Sequence, residues 1–282
     1  IECVRNFSKK ILEMAVYSSN KEAGRQELVK ELQEEVEDLT KQYTTFDIST
    51  PLQVAMVRCL HAFQVELIQI ASSYRKKKDI DVVDIGDSSG THLKYLQREQ
   101  LFPNVNMNAL SVNLDPEAVR KIQENGLKAI HCRAEELVGH PEYKGRNVDM
   151  FLSFETLEHL FNPISFLKAI ADSQGDAYFV LTVPYIKKSR VALHQIRDGS
   201  KADMYAENTH IFELSPEDWK LLFQLSGWKV EHESIFRLFP RKNILVLASL
   251  IWKRFKFDGH YGCVLSKDDT FINESAKQTP LR

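Results

Sequence analysis

The chain has 282 residues, of which 43% are hydrophobic, and it carries 37 basic and 39 acidic side chains for a net charge of −2. This length supports one sizeable core plus an accessory element, and the balanced charge excludes the basic excess of a duplex-binding domain, so we expect no nucleic-acid partner. The four cysteines form no CxxC pair and no cluster with histidines at zinc-ligand spacing, which predicts a reducing, cytoplasmic setting and no metal site.

Residues 1–78 are predicted to form a helical extension. One amphipathic helix is indicated by apolar residues that recur at helical spacing among glutamates and lysines: Leu28, Leu32, Val36, Leu39 and Tyr43. A second helix, apolar on most of its faces, begins at Pro51 with Ser49 or Thr50 as its cap. It would pack on the following domain, cover its pocket, or pair two subunits in a homodimer.

Residues 79–267 alternate short apolar runs with helical segments. The predicted strands are 80–85, 107–114, 128–132, 148–153, 177–183, 228–233 and 261–265. The predicted helices are 91–100, 116–126 with Asp115 as N-cap, 163–172 and 216–227. This alternation predicts an α/β fold with a mostly parallel seven-stranded sheet and helices on both of its faces.

Two insertions interrupt the alternation, at 184–214 and 236–259, and a polar tail that is predicted to be disordered follows at 268–282. The second insertion contains an apolar run at 244–252 with basic residues behind it, and this run is too short to span a bilayer, so no transmembrane segment is expected. The run is interpreted as a lid or core-covering helix, since it can simply pack on the sheet. The alternative is a peripheral membrane contact, which Trp252→Glu would abolish.

The sharpest signal is the loop in which the first strand turns into the first helix, Val-Val-Asp-Ile-Gly-Asp-Ser-Ser-Gly. Ligands of open α/β sheets bind at such strand ends. Gly86 and Gly90 let the backbone approach a ligand, and Asp84 or Asp87 would accept hydrogen bonds from a ligand ammonium or hold the loop itself. The loop lacks the G-x-G-x-x-G fingerprint of nicotinamide enzymes, and the alternative to a ligand loop is a glycine-rich turn that binds nothing.

Together with later motifs, this loop resembles the class I S-adenosylmethionine-dependent methyltransferases, in particular the group that acts on small molecules and sugars. The resemblance extends from Asp81 to about Glu233. The matching segments, in chain order, are Asp84-Ile85-Gly86-Asp87-Ser88-Ser89-Gly90, Ser111-Val112-Asn113-Leu114-Asp115-Pro116-Glu117, the fourth strand with its Leu157-Glu158-His159, Val183-Pro184-Tyr185, 210–219 and Ser226-Gly227-Trp228.

The resemblance implies a Rossmann-like methyltransferase fold with S-adenosylmethionine as the cofactor. The residues it assigns to cofactor binding are Asp84, Gly86, Asp87, Ser88, Gly90, Asn113, Leu114, Ala134, Glu135, Ser153 and Phe154. Ser88 departs from the family by replacing its middle glycine, and Arg133 stands where an acid near the adenine amine is usual. The family's ribose-binding acid falls on Asn113, or on Asp115 if the register shifts by two. An amide loses about 1 kcal/mol against a charged acceptor, which predicts a several-fold weaker cofactor.

Methyl transfer to a hydroxyl needs a general base near neutral pH, and histidine suits that role. His159 follows the fourth strand and His210 lies in the first insertion, so both are expected at the carboxyl edge of the sheet, with Glu155 as a third catalytic candidate. The alternatives are a His159 that shapes the pocket wall and a His210 bonded to backbone. Glu158 would orient a histidine or contact substrate, or would be an exposed or capping residue. The weaker candidates are His92, Tyr185 and His194. His92 is expected to face solvent, and the alternative is that it faces the cofactor.

The predicted function is S-adenosylmethionine-dependent O-methylation of a small molecule, a sugar or glycan-precursor hydroxyl that is free or lipid-linked. The charge balance and the lack of recognised motifs disfavour protein and nucleic-acid acceptors. The alternative is a catalytically inactive, methyltransferase-like binding or scaffold protein, because Ser88, Asn113 and Arg133 replace favoured cofactor contacts. Calorimetry with S-adenosylmethionine separates the two hypotheses.

Overall fold

Three helices precede the sheet in the computed structural model, which describes residues 2–44, 47–193, 199, 209–252, 258–268 and 270–271. They are α1 (Glu2–Glu22), α2 (Gln26–Glu35) and α3 (Pro51–Arg75). The Thr50 side chain accepts a hydrogen bond from the Gln53 amide, and the Gln53 side chain accepts one from the Thr50 amide. This reciprocal cap, with proline at the first helical position, is the predicted start of α3.

A seven-stranded sheet forms the centre of the molecule. Its strands are β1 (Asp79–Ile85), β2 (Asn106–Asn113), β3 (Ala129–His131), β4 (Met150–Phe154), β5 (Tyr178–Tyr185), β8 (Trp228–Arg237) and β9 (Gly259–Lys267), and a separate two-stranded sheet pairs β6 (Arg190–Val191) with β7 (Phe212–Glu213). The strand order of the large sheet is β3-β2-β1-β4-β5-β9-β8. Only β9 runs against its neighbours, so the predicted mostly parallel, seven-stranded sheet is confirmed.

Helices connect the strands and cover both faces of the sheet. They are α4 (Thr91–Leu96), α5 (Pro116–Glu124), α6 (Pro163–Ser173), α7 (Pro216–Leu225) and the short α8 (Ser249–Trp252). In α5, α6 and α7 a proline directly follows a residue whose side chain caps the helix, respectively Asp115, Asn162 and Ser215. Proline lacks only an N–H that the first turn leaves unpaired anyway, so this local sequence begins each helix at a defined residue.

Two apolar layers sandwich the sheet. Alternate residues of each strand point to opposite faces, so Val82 packs in the layer that α1–α3 complete, whereas Val83 packs in the layer that α6 and α7 complete. A Cβ on Gly262 of β9 would lie 2.5 Å from Leu67 Cδ1 and 2.6 Å from Phe63 Cζ. The glycine therefore lets α3 lie close against the sheet.

Helix α3 is long and apolar enough, by length and composition alone, to cross a membrane. In the fold, however, 67% of its most apolar 18-residue window is buried, and the helix packs against β5, β9, α1 and α2. Its composition is that of a helix at the centre of a protein core, which accounts for the apolar residues on most of its faces.

The predicted helix that contains Leu28 is shorter than its periodicity indicated. Helix α2 ends at Glu35, and the chain then turns, so the expectation that the helix continues to Tyr43 is wrong. The physical reason is the buried Arg58 of α3, whose guanidinium donates to the carbonyls of Leu32, Val36 and Glu37. The Leu32 carbonyl also accepts the last helical bond, from the Val36 amide at 3.0 Å, whereas the carbonyls of Val36 and Glu37 are bonded by the Arg58 side chain.

Smaller differences concern the ends of other elements. Helix α4 ends at Leu96 rather than at Gln100, and β8 continues to Arg237. The polar tail from residue 272 onwards lies outside the described residues, as does His194.

The apolar run of the second insertion forms a 3₁₀ turn (Ile244–Ala248) followed by α8, and it packs beside α1. Ala248 is buried, but Ile244 is 79% exposed, and Leu247 and Leu250 are each 59% exposed. These last three side chains, here called the apolar strip, recur every three residues and follow Arg241 and Lys242 in the sequence.

Candidate active site

A cavity of about 1220 Å³ opens at the carboxyl edge of the sheet, where β1 and β4 lie side by side. It is lined by 86–88 after β1, 113–115 after β2, 132–135 after β3 and 154–156 after β4. From β1 the sheet grows in one direction through β2 and β3 and in the other through β4 and β5, so the topological switch point lies between β1 and β4. Open parallel sheets bind their ligands at this point. The sequence-predicted loops therefore meet at one site.

The two glycines of the first loop have different structural roles. Gly86 has φ +96°, its N–H donates to the Val112 carbonyl at 2.9 Å, and a Cβ there would lie 2.5 Å from Thr156 Oγ1. Gly90 has φ +76°, does not line the cavity, and a Cβ there would lie 2.9 Å from Leu127 Cδ1. Gly86 thus allows contact between the first and fourth loops, whereas Gly90 allows close packing behind the loop.

Asp84 and Asp87 enclose the buried His92. His92 Nδ1 lies 3.4 Å from Asp84 Oδ2 and 3.6 Å from Asp87 Oδ1. Burial lowers the pKa of His92, but the two carboxylates outweigh it, so that pKa is raised. Burial and the neighbouring Asp84 raise the pKa of Asp87 to about 6. His92 is 6% exposed, so the expectation that it faces solvent is wrong.

One carboxylate of this cluster, that of Asp87, holds the loop. Asp87 Oδ1 accepts from the Thr91 amide at 3.2 Å, at the start of α4, and lines the cavity. Asp84 is 1% exposed and does not line it. Of the two roles that the sequence left open for these acids, the contacts of Asp87 fit that of holding the loop, and a hydrogen bond to a ligand ammonium stays a prediction.

Strand β2 ends at Asn113, the first of the two positions, with Asp115, on which the sequence placed the ribose-binding acid. Its Nδ2 donates to the Asp87 carbonyl at 3.2 Å, and its Oδ1 accepts from the Asp115 amide at 2.8 Å. Asp115 in turn accepts from the Glu117 amide at 2.9 Å and caps α5. Leu114 lines the cavity and is 43% exposed.

Residues after β3 and β4 complete this end of the cavity. Arg133, Ala134 and Glu135 line it, as does Phe154, whose ring centroid lies 4.8 Å from that of His92. Ser153 does not line it and is fully buried. Ser88 lines the cavity in the first loop.

His159 and His210 meet at the other end of the cavity, with ring centroids 4.8 Å apart and planes at 85°. His159 Nδ1 lies 3.0 Å from the Thr209 carbonyl, and His210 Nδ1 lies 3.1 Å from Glu213 Oε1. Arg190 Nε donates to the other oxygen of Glu213 at 2.6 Å. The small β6–β7 sheet of the first insertion thereby brings His210 to His159, which ends the 3₁₀ turn that follows β4.

Glu158 lies beneath this histidine pair and is fully buried. Neither of its carboxylate oxygens has a hydrogen-bond partner among the described residues. Burial, with the carboxylates of Glu155 and Glu213 nearby, raises its pKa well above the usual value. The alternative of an exposed residue is therefore wrong.

Glu155 adopts an unusual backbone conformation for a residue with a side chain, at φ +52°. Burial works to raise its pKa, but the His260 imidazole, with Nδ1 3.0 Å from Glu155 Oε1, outweighs burial and holds that pKa below its usual value. His260 is a cavity residue that the sequence did not indicate, since it belongs to β9, far along the chain. Tyr185 lines a neighbouring groove and not this cavity.

The helical extension supplies a wall of the cavity that no motif indicated. Gln42 accepts from Thr91 Oγ1 at 2.5 Å, and Tyr43 lies beside it. Gln64 of α3 bonds His92 Nε2 at 3.0 Å and donates to Thr182 Oγ1 at 3.1 Å. Covering the pocket was one of the three roles that the sequence left open for α3, but these polar residues offered no separate signal.

Comparisons with known proteins agree with this geometry. A family profile described as "Methyltransferase domain" matches residues 59–233. A putative sarcosine dimethylglycine methyltransferase from Galdieria sulphuraria has a similar structure, with a TM-score of 0.53 and 11% identity over 78% of this chain and 88% of that one. The putative methyltransferase complexed with the Trm112 methyltransferase activator of Haloferax volcanii gives a TM-score of 0.51 and 16% identity, over 74% and 91% of the two chains. These two likenesses show the fold alone, and no curated protein matches the sequence significantly.

Proposed function

Since the chain belongs to the methyltransferase domain family and uses S-adenosylmethionine as its cofactor, we propose that it methylates a hydroxyl group of a small molecule, a sugar or glycan precursor. The observation that carries the proposal is the pair of imidazoles, His159 and His210, backed by carboxylates at one end of the cavity. Family membership does not favour the alternative of an inactive scaffold.

The donor end of the cavity fits an adenosyl sulfonium compound. The Gly86 loop leaves the backbone close to the cavity, and the exposed face of Leu114 with Ala134 offers an apolar surface for a flat base. Asn113 and Glu135 are the polar groups that would reach ribose hydroxyls and the adenine edge. Within the proposal, S-adenosylmethionine supplies an activated methyl group, and these residues align it.

The acceptor end has the groups that O-methylation needs. In an in-line displacement the acceptor oxygen must lie against the methyl carbon, and its proton must be removed as the new bond forms. His210 is held by Glu213, so its ring is oriented toward its neighbour His159. A hydroxyl bound beside this pair would meet an imidazole nitrogen that can accept its proton.

A lipid-linked form of the acceptor is supported by the apolar strip. Ile244, Leu247 and Leu250 present an exposed apolar surface, and Arg241 and Lys242 precede it. A surface of this kind, with cations beside exposed leucines, suits the interface of a membrane that contains anionic lipids. We therefore propose peripheral membrane contact by this strip.

Three further features belong to the proposal. We keep the domain division predicted from the sequence, with an extension (1–78), a catalytic domain (79–267) and a tail (268–282). A homodimer is supported by apolar side chains that α1 exposes, among them Phe7, Met14 and Tyr17. A cytoplasmic setting is supported by the unpaired, buried Cys59, Cys132 and Cys263.

The test measures transfer of an isotope-labelled methyl group from S-adenosylmethionine to a panel of sugars and glycan precursors. The parent chain should methylate at least one hydroxyl compound. His210→Ala should slow turnover by about 100-fold, the usual contribution of a general base, with cofactor affinity by calorimetry nearly unchanged. His232→Ala, on β8 and away from the cavity, is the matched control. Equal turnover in His210→Ala and the parent would exclude His210 as the general base. If calorimetry detects no binding of S-adenosylmethionine at millimolar concentration, the proposed methyltransferase function is excluded.

A further inference from the structure

The histidine pair and the buried carboxylate beneath it form a compact set of donors. Glu158, His159 and His210 each offer one ligand atom, and these three atoms all lie within 4.8 Å of one another. Two imidazoles and one carboxylate are a donor set that divalent transition metals prefer, whereas Mg²⁺ and Ca²⁺ favour oxygen alone. We propose that Glu158, His159 and His210 bind a divalent transition-metal cation such as Mn²⁺, Fe²⁺, Co²⁺ or Zn²⁺.

The buried Glu158 side chain is an independent sign of a missing partner. Both oxygens of Glu158 lack a hydrogen-bond partner among the described residues, and the side chain is 0% exposed. Buried polar groups are nearly always paired, and an unpaired buried carboxylate is costly. A divalent cation between Glu158 and the imidazoles would supply the partner that this carboxyl group lacks.

The second contact of each histidine supports the same assignment. A carbonyl oxygen can only accept, so in the neutral ring His159 Nδ1 carries the proton and donates to Thr209 at 3.0 Å. That tautomer puts the Nε2 lone pair, and not a proton, on the side of Glu158 Oε1, 3.8 Å away. His210 Nδ1 is likewise held by the Glu213 carboxylate at 3.1 Å. Metal-ligating histidines characteristically bond their other nitrogen to a carbonyl or a carboxylate.

A second group of donors, Asp84, Asp87 and His92, is equally compact. Among the described residues, Asp84 Oδ2 and His92 Nδ1 also lack a hydrogen bond, but they lie only 3.4 Å apart, and His92 Nε2 bonds Gln64 at 3.0 Å. Asp87 of this group accepts from the Thr91 amide. The carboxylates of this group therefore have close protein partners, whereas neither oxygen of Glu158 is hydrogen-bonded within the part of the chain that the structure describes. The sequence predicted no metal site because Glu158 and His210 are brought together only by the fold.

The role of the cation rests on the proposed function. A cation at this end of the cavity would bind the acceptor hydroxyl oxygen and favour loss of its proton to water. The oxygen would then form its bond to the methyl carbon as the carbon–sulfur bond breaks, and S-adenosylhomocysteine would leave. The two imidazoles would then act as ligands, and the cation would take over the activation that a general base otherwise provides.

Metal binding can be measured without any acceptor. The full chain is treated with EDTA, dialysed, and titrated with Mn²⁺ by calorimetry and by electron paramagnetic resonance, which reports free Mn²⁺. We expect one saturable ion per chain, and a loss of affinity of at least about ten-fold in both Glu158→Gln and His210→Ala. Glu142→Gln and His232→Ala, which change the same residue types away from the cavity, should bind Mn²⁺ as the parent does.

The outcomes separate this proposal from the function on which it rests. A parent chain without saturable Mn²⁺ binding, or variants that bind as tightly as the parent, would overturn the metal site while leaving methyl transfer intact. Saturable Mn²⁺ binding in a chain that transfers no methyl group would support the metal site but exclude its role in activating the acceptor hydroxyl. Calorimetry with S-adenosylmethionine checks that each variant is folded, and His210→Ala, at a half-buried position, carries the test if Glu158→Gln fails to fold.

Discussion

At the scale of single residues, Asn113 shows why a departure from a family pattern can be stabilising. Its side chain donates to the Asp87 carbonyl and accepts from the Asp115 amide, so it ties the first loop to the second. An aspartate could accept but could not donate, and would set a negative oxygen 3.2 Å from a carbonyl. The amide therefore suits this loop even though it is a weaker acceptor for a ribose.

Asn113→Ala should weaken cofactor binding by about ten-fold, because it removes two hydrogen bonds of about 1 kcal/mol each, one to the first loop and one within the second. Calorimetric titration with S-adenosylmethionine measures the change. Asn108→Ala, an exposed residue near the opposite end of the same strand, is the control and should bind as the parent does. Unchanged affinity in Asn113→Ala would show that this bridge is dispensable for the site.

The same scale shows what sequence can and cannot predict about the site. The loops after β1, β2 and β4 could be predicted because strand ends and turn glycines are local signals. The burial of His92 could not, since its partner Gln64 comes from α3 and no local pattern encodes that contact. His260 was missed for the same reason, because β9 lies far along the chain from Glu155.

At the scale of elements, Arg58 explains both the early end of α2 and the wall that follows it. The periodicity of Leu28 and Leu32 predicted a longer helix, but a buried guanidinium bonds the carbonyls at its C-terminus. Positive charge at a helix C-terminus is also favoured by the aligned peptide dipoles. The chain that turns away there brings Gln42 and Tyr43 to the cavity, and only tertiary structure could reveal this.

The apolar strip leads to a prediction about membranes. The parent chain should co-sediment with vesicles that contain phosphatidylglycerol, more weakly with phosphatidylcholine alone, and less at high salt. The double change Leu247→Glu and Leu250→Glu should lower the affinity by at least about ten-fold, because two leucines can no longer enter the interface. Leu221→Glu, at a 54% exposed position on α7, is the matched control.

The vesicle experiment also decides between the two interpretations of this segment. No binding by the parent chain, or equal binding by the double variant, would contradict membrane contact. The segment would then serve only to pack beside α1, where Ala248 is buried.

At the scale of the whole molecule, the order of helices and strands was predictable and the way they pack was not. Apolar runs and capping prolines are local, so the alternation and the parallel sheet followed from them. The position of the helical extension is a long-range property. It is decided by contacts such as Phe63 and Leu67 against Gly262, which join α3 to β9 across nearly the whole sequence.

One apolar layer joins the helical extension to the sheet, and this predicts that the two unfold together. The layer is continuous from Leu12 of α1 and Phe63 of α3 to Val264 of β9, and Phe63 is fully buried. Phe63→Ala should destabilise the chain by about 3–5 kcal/mol and lower the midpoint of its single calorimetric transition by about 10 °C. Phe161→Ala, at a 79% exposed position, should change it little. Two separate transitions, of which Phe63→Ala shifts only one, would mean that the extension is an independent unit resting on the sheet.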